Sequence, residues 1–314
     1  YVNALGKPDS ETPTSDENDG GTNGKRIAYI DIRSNAYNLV LGLYRDSKKS
    51  EDATLAIELL QRMVDASSKA PEDRNGVPLP TEQSFEFTIM SLANMSDGAR
   101  AIQEAERLVQ LMEDQDHIDS LVAAYNAYII VCNKHLFGKP QLFDKALEIL
   151  EKMNEASKTN PGAAPNPETQ ALVMKACSLS EHDDHEKVLE ASSKLFSQLE
   201  EQESSDSSAD ALTDRAYFYM MKCVDVHMTS VDGSRKERIE ELFSEACQRG
   251  LCSANVLAMF RNSVSKKDFH LTVGEGRLAD HWIANITSPR ALYTDGSTGG
   301  AGKNARRKGK STSD

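Results

Sequence analysis

A pair of short amphipathic helices recurs along this chain, with roughly 40 to 48 residues between successive copies. In the clearest copy, between Ala123 and Met153, apolar side chains fall at the spacing that places them on one face of a helix. The first helix of this copy carries Tyr125, Tyr128, Ile129 and Cys132, and the second carries Phe143, Ala146, Leu147, Leu150 and Met153. An isolated pair leaves each apolar face half covered, so neighbouring pairs must stack to bury it.

The second helix has a signature that can be followed through the chain: a small residue, then an aliphatic residue, then Met or a substitute. Its copies are Ala56, Leu59 and Met63; Ala105, Leu108 and Met112; Ala146, Ile149 and Met153; and, in weaker form, Ser192, Leu195 and Leu199, and Ile239, Leu242 and Ala246. The first helix has an aromatic anchor at Tyr37, Phe85 and Tyr125, replaced by Gln170 and Ala216 in the last two copies. We therefore predict an all-α fold, a right-handed α-solenoid of about five antiparallel helix hairpins. Within it Met112, Leu150 and Met153 are predicted to be buried.

Composition divides the chain into four segments. Residues 1–27 are acidic and almost free of apolar side chains, so we expect a disordered lead-in that cannot bury enough surface to offset chain entropy. The repeat array is expected to span 28–262, and 263–294 to form a C-terminal extension with a short helix. Residues 295–314 are expected to be a disordered basic tail that attracts polyanions. Its basic residues are Lys303, Arg306, Arg307, Lys308 and Lys310.

Charge and cysteine content exclude several classes of protein. The formal net charge of -13 argues against a protein that coats nucleic acid non-specifically, because such binding depends on Lys and Arg. Five Cys without paired spacing do not form a disulfide framework, which favours a reducing, intracellular compartment. No apolar run approaches the roughly 18 residues of a membrane span. Because the sequence begins at Tyr1 without Met, we expect a trimmed segment, and no targeting peptide is visible in it.

The central repeat resembles a pentatricopeptide repeat. The residues that carry the resemblance are Tyr125-Asn126, the run from Ala146 to Met153, and Pro165-Asn166, with a partial second match at Tyr37-Asn38 and Ala56 to Met63. The repeats here are longer than the usual 35 or so residues, as in the divergent long-loop repeat proteins of algae with complex plastids. The resemblance implies single-stranded RNA binding in the processing or expression of organelle RNA, and a location in a mitochondrion or plastid.

In that family the Asn of the Tyr-Asn pair and the last residue of the repeat read one RNA base together. Carried over to this sequence, the pairs are Asn38 with Thr81, Glu86 with Leu121, Asn126 with Asn166, and Ala171 with Leu212. The resemblance implies that Asn126 with Asn166 favours a pyrimidine, whereas Leu cannot hydrogen-bond a base and Glu86 would repel the RNA backbone. The alternative interpretation makes Asn126 a solvent-facing helix residue and Asn166 a simple helix cap.

The remaining candidate sites favour structural roles, so we expect neither a metal, a cofactor nor catalysis. Cys132, Cys177 and Cys223 recur once per repeat, but repeats are too far apart for ligands about 2.3 Å from one ion, so small core residues are expected. The segment from His182 to His185 is interpreted as a capped helix start. The alternative function is a scaffold that binds a basic protein partner on the same surface. A basic face on the first helices would favour RNA, and an acidic face would favour a protein.

Overall fold

The computed structural model describes residues 32–204, 212–228 and 233–273, and in these ranges the chain is all-α, without a strand. The helices are α1 (Ile32–Asp46), α2 (Ser50–Ser67), α3 (Glu82–Leu92), α4 (Gly98–Glu113), α5 (Val122–His135), α6 (Gln141–Ala156), α7 (Pro167–Leu179), α8 (His185–Ser204), α9 (Asp214–His227), α10 (Ser234–Gln248), α11 (Ala254–Ser263) and α12 (Lys266–Val273). Two short 3-10 helices occupy Pro71–Arg74 and Pro161–Ala163. The predicted lead-in and basic tail lie outside the described residues.

The odd-numbered helices form a row in which each packs on the next, from α1 through α11. Each even-numbered helix from α2 to α10 packs against the odd-numbered helix before it and the one after it. We call these sets the odd row and the even row, and α12, which contacts α11, continues the even row. Each helix of the odd row from α1 to α9 therefore contacts the first helix of the repeat that follows it in sequence.

The signature residues of the even-numbered helices lie in the buried core. Ala146, Ile149 and Met153 are fully buried in α6, and Met112 is fully buried in α4. Burying one such Ile or Met side chain contributes about 1.5–3 kcal/mol. Leu150, in contrast, is only partly buried, so the expectation that it lies in the core is wrong. It lies at the edge of the stripe, where it lines a groove between α6 and α8.

Side-chain caps start most odd helices. The N-cap residues whose side chains accept a backbone N–H are Thr81 for α3, Asn166 for α7, Thr213 for α9 and Ser253 for α11. Helix α5 begins after Leu121, which has no capping side chain. Instead the Leu121 N–H donates to the carbonyl of Gly162 at 2.9 Å, so the loop before α7 supports the start of α5. A Cβ on Gly162 would lie 1.9 Å from the Asp119 carbonyl, so only glycine permits this close approach.

Candidate nucleic-acid interface

The predicted pair Asn126 and Asn166 meets where α5 packs on the start of α7, and Thr169 joins the two side chains. The Thr169 hydroxyl lies 2.7 Å from Asn126 Oδ1 and 2.9 Å from Asn166 Oδ1. The Thr169 backbone N–H donates to Asn166 Oδ1 at 2.9 Å, and the Asn166 N–H donates to the Thr169 hydroxyl, which completes a capping box. Asn166 is therefore a helix cap, and Asn126 is a buried residue, 7 % exposed, instead of the solvent-facing residue of the alternative interpretation.

These contacts occupy the oxygens of the two carboxamides and do not involve their nitrogens. Neither Asn126 Nδ2 nor Asn166 Nδ2 donates to an acceptor among the described residues, and neither is among the enclosed polar atoms that lack a partner. Each nitrogen therefore keeps some accessible surface and has no acceptor among the described residues. A pair of amide donors matches ligands that present carbonyl oxygens, such as the edge of a pyrimidine base.

The predicted pair Asn38 and Thr81 also meets, where α1 packs on the start of α3, but its amide is fully used. The Ser84 hydroxyl donates to Asn38 Oδ1 at 2.6 Å. Asn38 Nδ2 lies 3.0 Å from the Thr81 hydroxyl and 3.2 Å from Gln83 Oε1, so both acceptors share its hydrogens. Asn38 is 5 % exposed. This junction has the same architecture as the Asn126 junction, but the hydrogens of its amide nitrogen are bonded to Thr81 and Gln83.

The other two predicted pairs present no amide to a ligand. Glu86 is partly buried on α3, and this burial raises the pKa of its carboxyl, although Arg45 opposes the shift. Its partner Leu121 is 4 % exposed. Ala171 and Leu212 are both buried, and the N-cap of α9 that is equivalent to Asn166 is Thr213, one residue after Leu212.

A groove runs along the odd row beside the Asn126 junction, with a volume of about 310 Å³. Five successive odd helices contribute one lining residue or more: Met90, Ile130, Glu168, Leu172, Lys175, Asp214, Arg215, Phe218, Tyr219 and Asn255. The rings of Phe218 and Tyr219 meet edge to face with centroids 5.3 Å apart, and the Lys175 ammonium lies 5.9 Å from the Tyr219 ring. Sequence reasoning missed this groove, because its lining residues are mostly partly buried positions distributed over five separate helices.

The two rows differ in charge. The odd-numbered helices carry seven Lys and Arg against six Asp and Glu, whereas the even-numbered helices carry twelve against twenty-one. Part of the even-row charge is neutralised between successive helices: Glu106 of α4 lies 3.4 Å from Lys145 and 2.5 Å from Lys152 of α6, and Lys187 of α8 lies 3.2 Å from Asp144. The odd row is therefore near neutral, and among the described helices the excess of acidic residues belongs to the even row.

The cysteines and histidines of the array serve the packing. Cys132, Cys177 and Cys223 are fully buried, and burial raises the pKa of the Cys132 and Cys177 thiols to about 12. His227 places Nε2 2.9 Å from the Cys177 carbonyl and Nδ1 3.0 Å from Nδ1 of His185. No set of three or more metal-ligating side chains converges in the described part of the chain.

Comparison with known proteins adds no assignment. No family model matches the sequence, and no curated protein or solved structure is significantly similar to it. Among the described helices none is both long enough and apolar enough to cross a membrane.

Proposed function

We propose that this chain binds single-stranded RNA as a pentatricopeptide-repeat-like protein, folded as a right-handed α-solenoid of about five helix hairpins. In this proposal the junction of α5 and α7 reads one pyrimidine. The observation that carries it is the pair of accessible amide nitrogens on Asn126 and Asn166, held by Thr169 at a junction that is otherwise built like the closed Asn38 junction. Uracil presents carbonyl oxygens on its Watson–Crick edge, which are acceptors for such donors.

The odd row supplies the rest of the binding surface in this proposal. Ile130 lies one helical turn beyond Asn126 and lines the odd-row groove, so a base at the junction adjoins that groove. The aromatic rings of Phe218 and Tyr219 offer stacking surface for a further base, worth about 1–3 kcal/mol per base in single-strand binders. The near-neutral charge of the odd row favours RNA there over the acidic even row. Location in an organelle follows from the resemblance alone.

The test replaces amide nitrogens without disturbing their support. Asn126→Asp and Asn166→Asp keep the oxygens that contact Thr169 and remove the donors. Each should weaken a uridine-rich single strand about tenfold or more, the scale of about 1–3 kcal/mol for a good base contact, as measured by fluorescence anisotropy. Asn38→Asp is the matched control, because it adds the same negative charge at the equivalent position of a closed junction and should leave RNA affinity nearly unchanged.

An adenosine-rich strand distinguishes base reading from general attraction. The two substitutions at the α5/α7 junction should change its affinity no more than the control does. Equal losses for all three variants would reduce the effect to added charge and contradict base reading. Absence of single-strand binding by the unmodified chain at low salt would remove the RNA function altogether.

The scaffold alternative keeps one observation in its favour. The even row carries nine more acidic than basic residues, twenty-one against twelve, a surface complementary to a basic partner. If RNA binding fails, a basic protein retained by the chain at low salt and released at high salt supports this second function.

A further inference from the structure

The first hairpin of the array exposes an apolar surface on the side away from α3. Seven large apolar side chains are exposed in the described part of the chain, and four of them belong to this hairpin: Leu39, Val40 and Leu43 of α1, and Leu55 of α2. Leu39 and Leu43, one helical turn apart, are 72 % and 70 % exposed. We call these four side chains the end face. Exposed apolar residues that cluster in this way, instead of being scattered singly, mark an interaction surface.

The equivalent positions of a later repeat show what such a surface does inside the array. Since Tyr37-Asn38 corresponds to Tyr125-Asn126, the three end-face residues of α1 correspond to Ala127, Tyr128 and Val131 of α5. These three are at most 1 % exposed, and the preceding hairpin, α3 and α4, packs against α5. Among the described residues no helix precedes α1. The end face is therefore a stacking surface that has no hairpin on it in the described part of the chain.

A groove beside the end face adds one acidic and one basic side chain. It lies between α1 and α2, has a volume of about 350 Å³, and is lined by aliphatic and aromatic residues together with Glu58 and Arg62 of α2. Arg62 follows Ala56 by six residues, as Lys152 follows Ala146, so the two cations are equivalent. Lys152 lies 2.5 Å from Glu106 of the preceding even helix. A cation at this position therefore pairs with a carboxylate of whatever packs on its surface.

We propose that the end face binds the end face of a second copy of this chain and forms a two-fold symmetric dimer. In such a contact both copies present the same patch, so each pair of residues occurs twice. Arg62 of one copy meets the partner's Glu58, and symmetry forms the same pair again with the roles exchanged. Leu39 and Leu43 pack across the axis and lose their exposure. The groove therefore carries the two opposite charges that a self-complementary surface requires.

The residues that precede α1 favour a second copy over cover from the same chain. Residues 1–27 are acidic and almost free of apolar side chains, so they offer little to bury an apolar face. A second copy offers an apolar surface of matching size and composition. Contact between the two copies does not involve the α5/α7 junction, so the dimer does not depend on RNA binding.

The size of the end face also fits a reversible dimer. Helices α1 and α2 have 15 and 18 residues and are therefore roughly 22 and 27 Å long. Two such helices side by side, each about 10 Å wide, present roughly 500 Å² per copy. The two copies together bury roughly 1,000 Å², the lower limit of a specific interface. We therefore expect a dimer that dissociates on dilution.

The first experiment measures the sedimentation velocity of the full chain over a series of concentrations. We expect a reversible equilibrium between monomer and dimer. Leu43→Glu places a charge in the end face and should raise the dissociation constant of the dimer at least tenfold. Phe137→Glu is the matched control, because it adds the same charge at a side chain that is 66 % exposed outside the end face, and should leave the equilibrium unchanged. Circular dichroism checks that both variants are folded.

The second experiment exchanges the charges of the groove. Glu58→Arg leaves two cations and Arg62→Glu leaves two anions, so each variant alone should associate about tenfold more weakly than the unmodified chain. An equimolar mixture of the two variants should recover the dimer, because every arginine then meets a glutamate of the other copy. Recovery by mixing requires two copies to meet through this surface, and cover from the same chain cannot produce it.

Three results would overturn the proposal. The first is a chain that stays monomeric at every concentration, which would leave the end face to residues before α1 or to a different protein. The second is a dimer that Leu43→Glu leaves intact, or that Phe137→Glu weakens equally. The third is a mixture of Glu58→Arg and Arg62→Glu that associates no more than either variant alone.

Discussion

The Asn38 and Asn126 junctions have the same arrangement of helices and caps, but the amide nitrogen is bonded only at Asn38. In each, a carboxamide on an odd helix meets the hydroxyl three residues after the next N-cap, Ser84 or Thr169. At Asn38 the N-cap is Thr81, whose hydroxyl accepts from the amide, and Gln83 accepts beside it. At Asn126 the N-cap is Asn166, whose oxygen is already engaged by the Thr169 backbone. The Thr81 hydroxyl also accepts from the Ser84 backbone, so the junctions differ in whether the cap and Gln83 accept from the preceding amide nitrogen as well.

At the two Asn junctions the largest expected effect comes from removing the hydroxyl that joins Asn126 to Asn166. Thr169→Val keeps the side-chain shape, leaves the Asn126 oxygen enclosed without a donor, and breaks the reciprocal bond of the capping box. We expect the free energy of unfolding to fall by about 2–4 kcal/mol, measured by urea denaturation followed by circular dichroism. Ser84→Ala removes the same two bonds at the closed junction, but the Asn38 nitrogen stays bonded to Thr81 and Gln83, so we expect a smaller loss there. A loss at Ser84 equal to or greater than that at Thr169 would contradict the difference between the junctions.

The next effect separates the roles of the two amides in stability. Asn38→Ala removes a carboxamide whose oxygen and nitrogen are both bonded, so we expect a loss of about 2 kcal/mol. Asn126→Ala removes one bonded oxygen and an accessible nitrogen, and should cost about 1 kcal/mol. The same denaturation assay applies to both. A larger loss of stability for Asn126→Ala than for Asn38→Ala would contradict the proposed difference between the two junctions.

A smaller effect concerns the edge of the α6 stripe, where Leu150 is only partly buried. Leu150→Ala should cost about 1 kcal/mol, because this side chain is only partly buried, whereas the fully buried Ile149→Ala should cost about 2–5 kcal/mol. Urea midpoints of the two variants measure the difference. A cost above about 2 kcal/mol for Leu150→Ala would place it in the core after all.

The smallest effect is a pH dependence that the two Asn junctions should not share. Burial lowers the pKa of His227, and the nearby His185 and His182 lower it further. The Cys177 carbonyl can only accept, so Nε2 of His227 carries the hydrogen and its Nδ1 accepts from His185. Because the folded-state pKa lies below the unfolded value near 6.5, this stability is complete above pH 6.5 and is lost as the pH falls towards the folded pKa.

Denaturation at several pH values between neutral and mildly acidic conditions measures this loss. His227→Gln should flatten part of the profile, because Gln keeps an N–H for the Cys177 carbonyl and cannot gain a proton. The stability differences caused by Thr169→Val and Ser84→Ala should stay constant over the same range. A pH-dependent difference between those two variants would mean that a titrating group acts at one of the junctions.

The sequence by itself determined the all-α fold, the buried signature at Met112, Ile149 and Met153, and the helix starts at Thr81 and Asn166. These follow from local rules, since helical spacing and capping involve residues within one or two turns of each other. The resemblance to pentatricopeptide repeats also paired Asn38 with Thr81 and Asn126 with Asn166, and the structure brings each pair together.

Only the tertiary structure decided which amide is available and which groove is open. The state of Asn38 depends on Gln83, and the groove beside the partly exposed Leu150 is also lined by Gln170, residues that belong to neighbouring repeats. The odd-row groove likewise needs Met90, Ile130 and Phe218 from three separate helices. Such contacts depend on distances and directions between distant residues, and local periodicity carries no information about them.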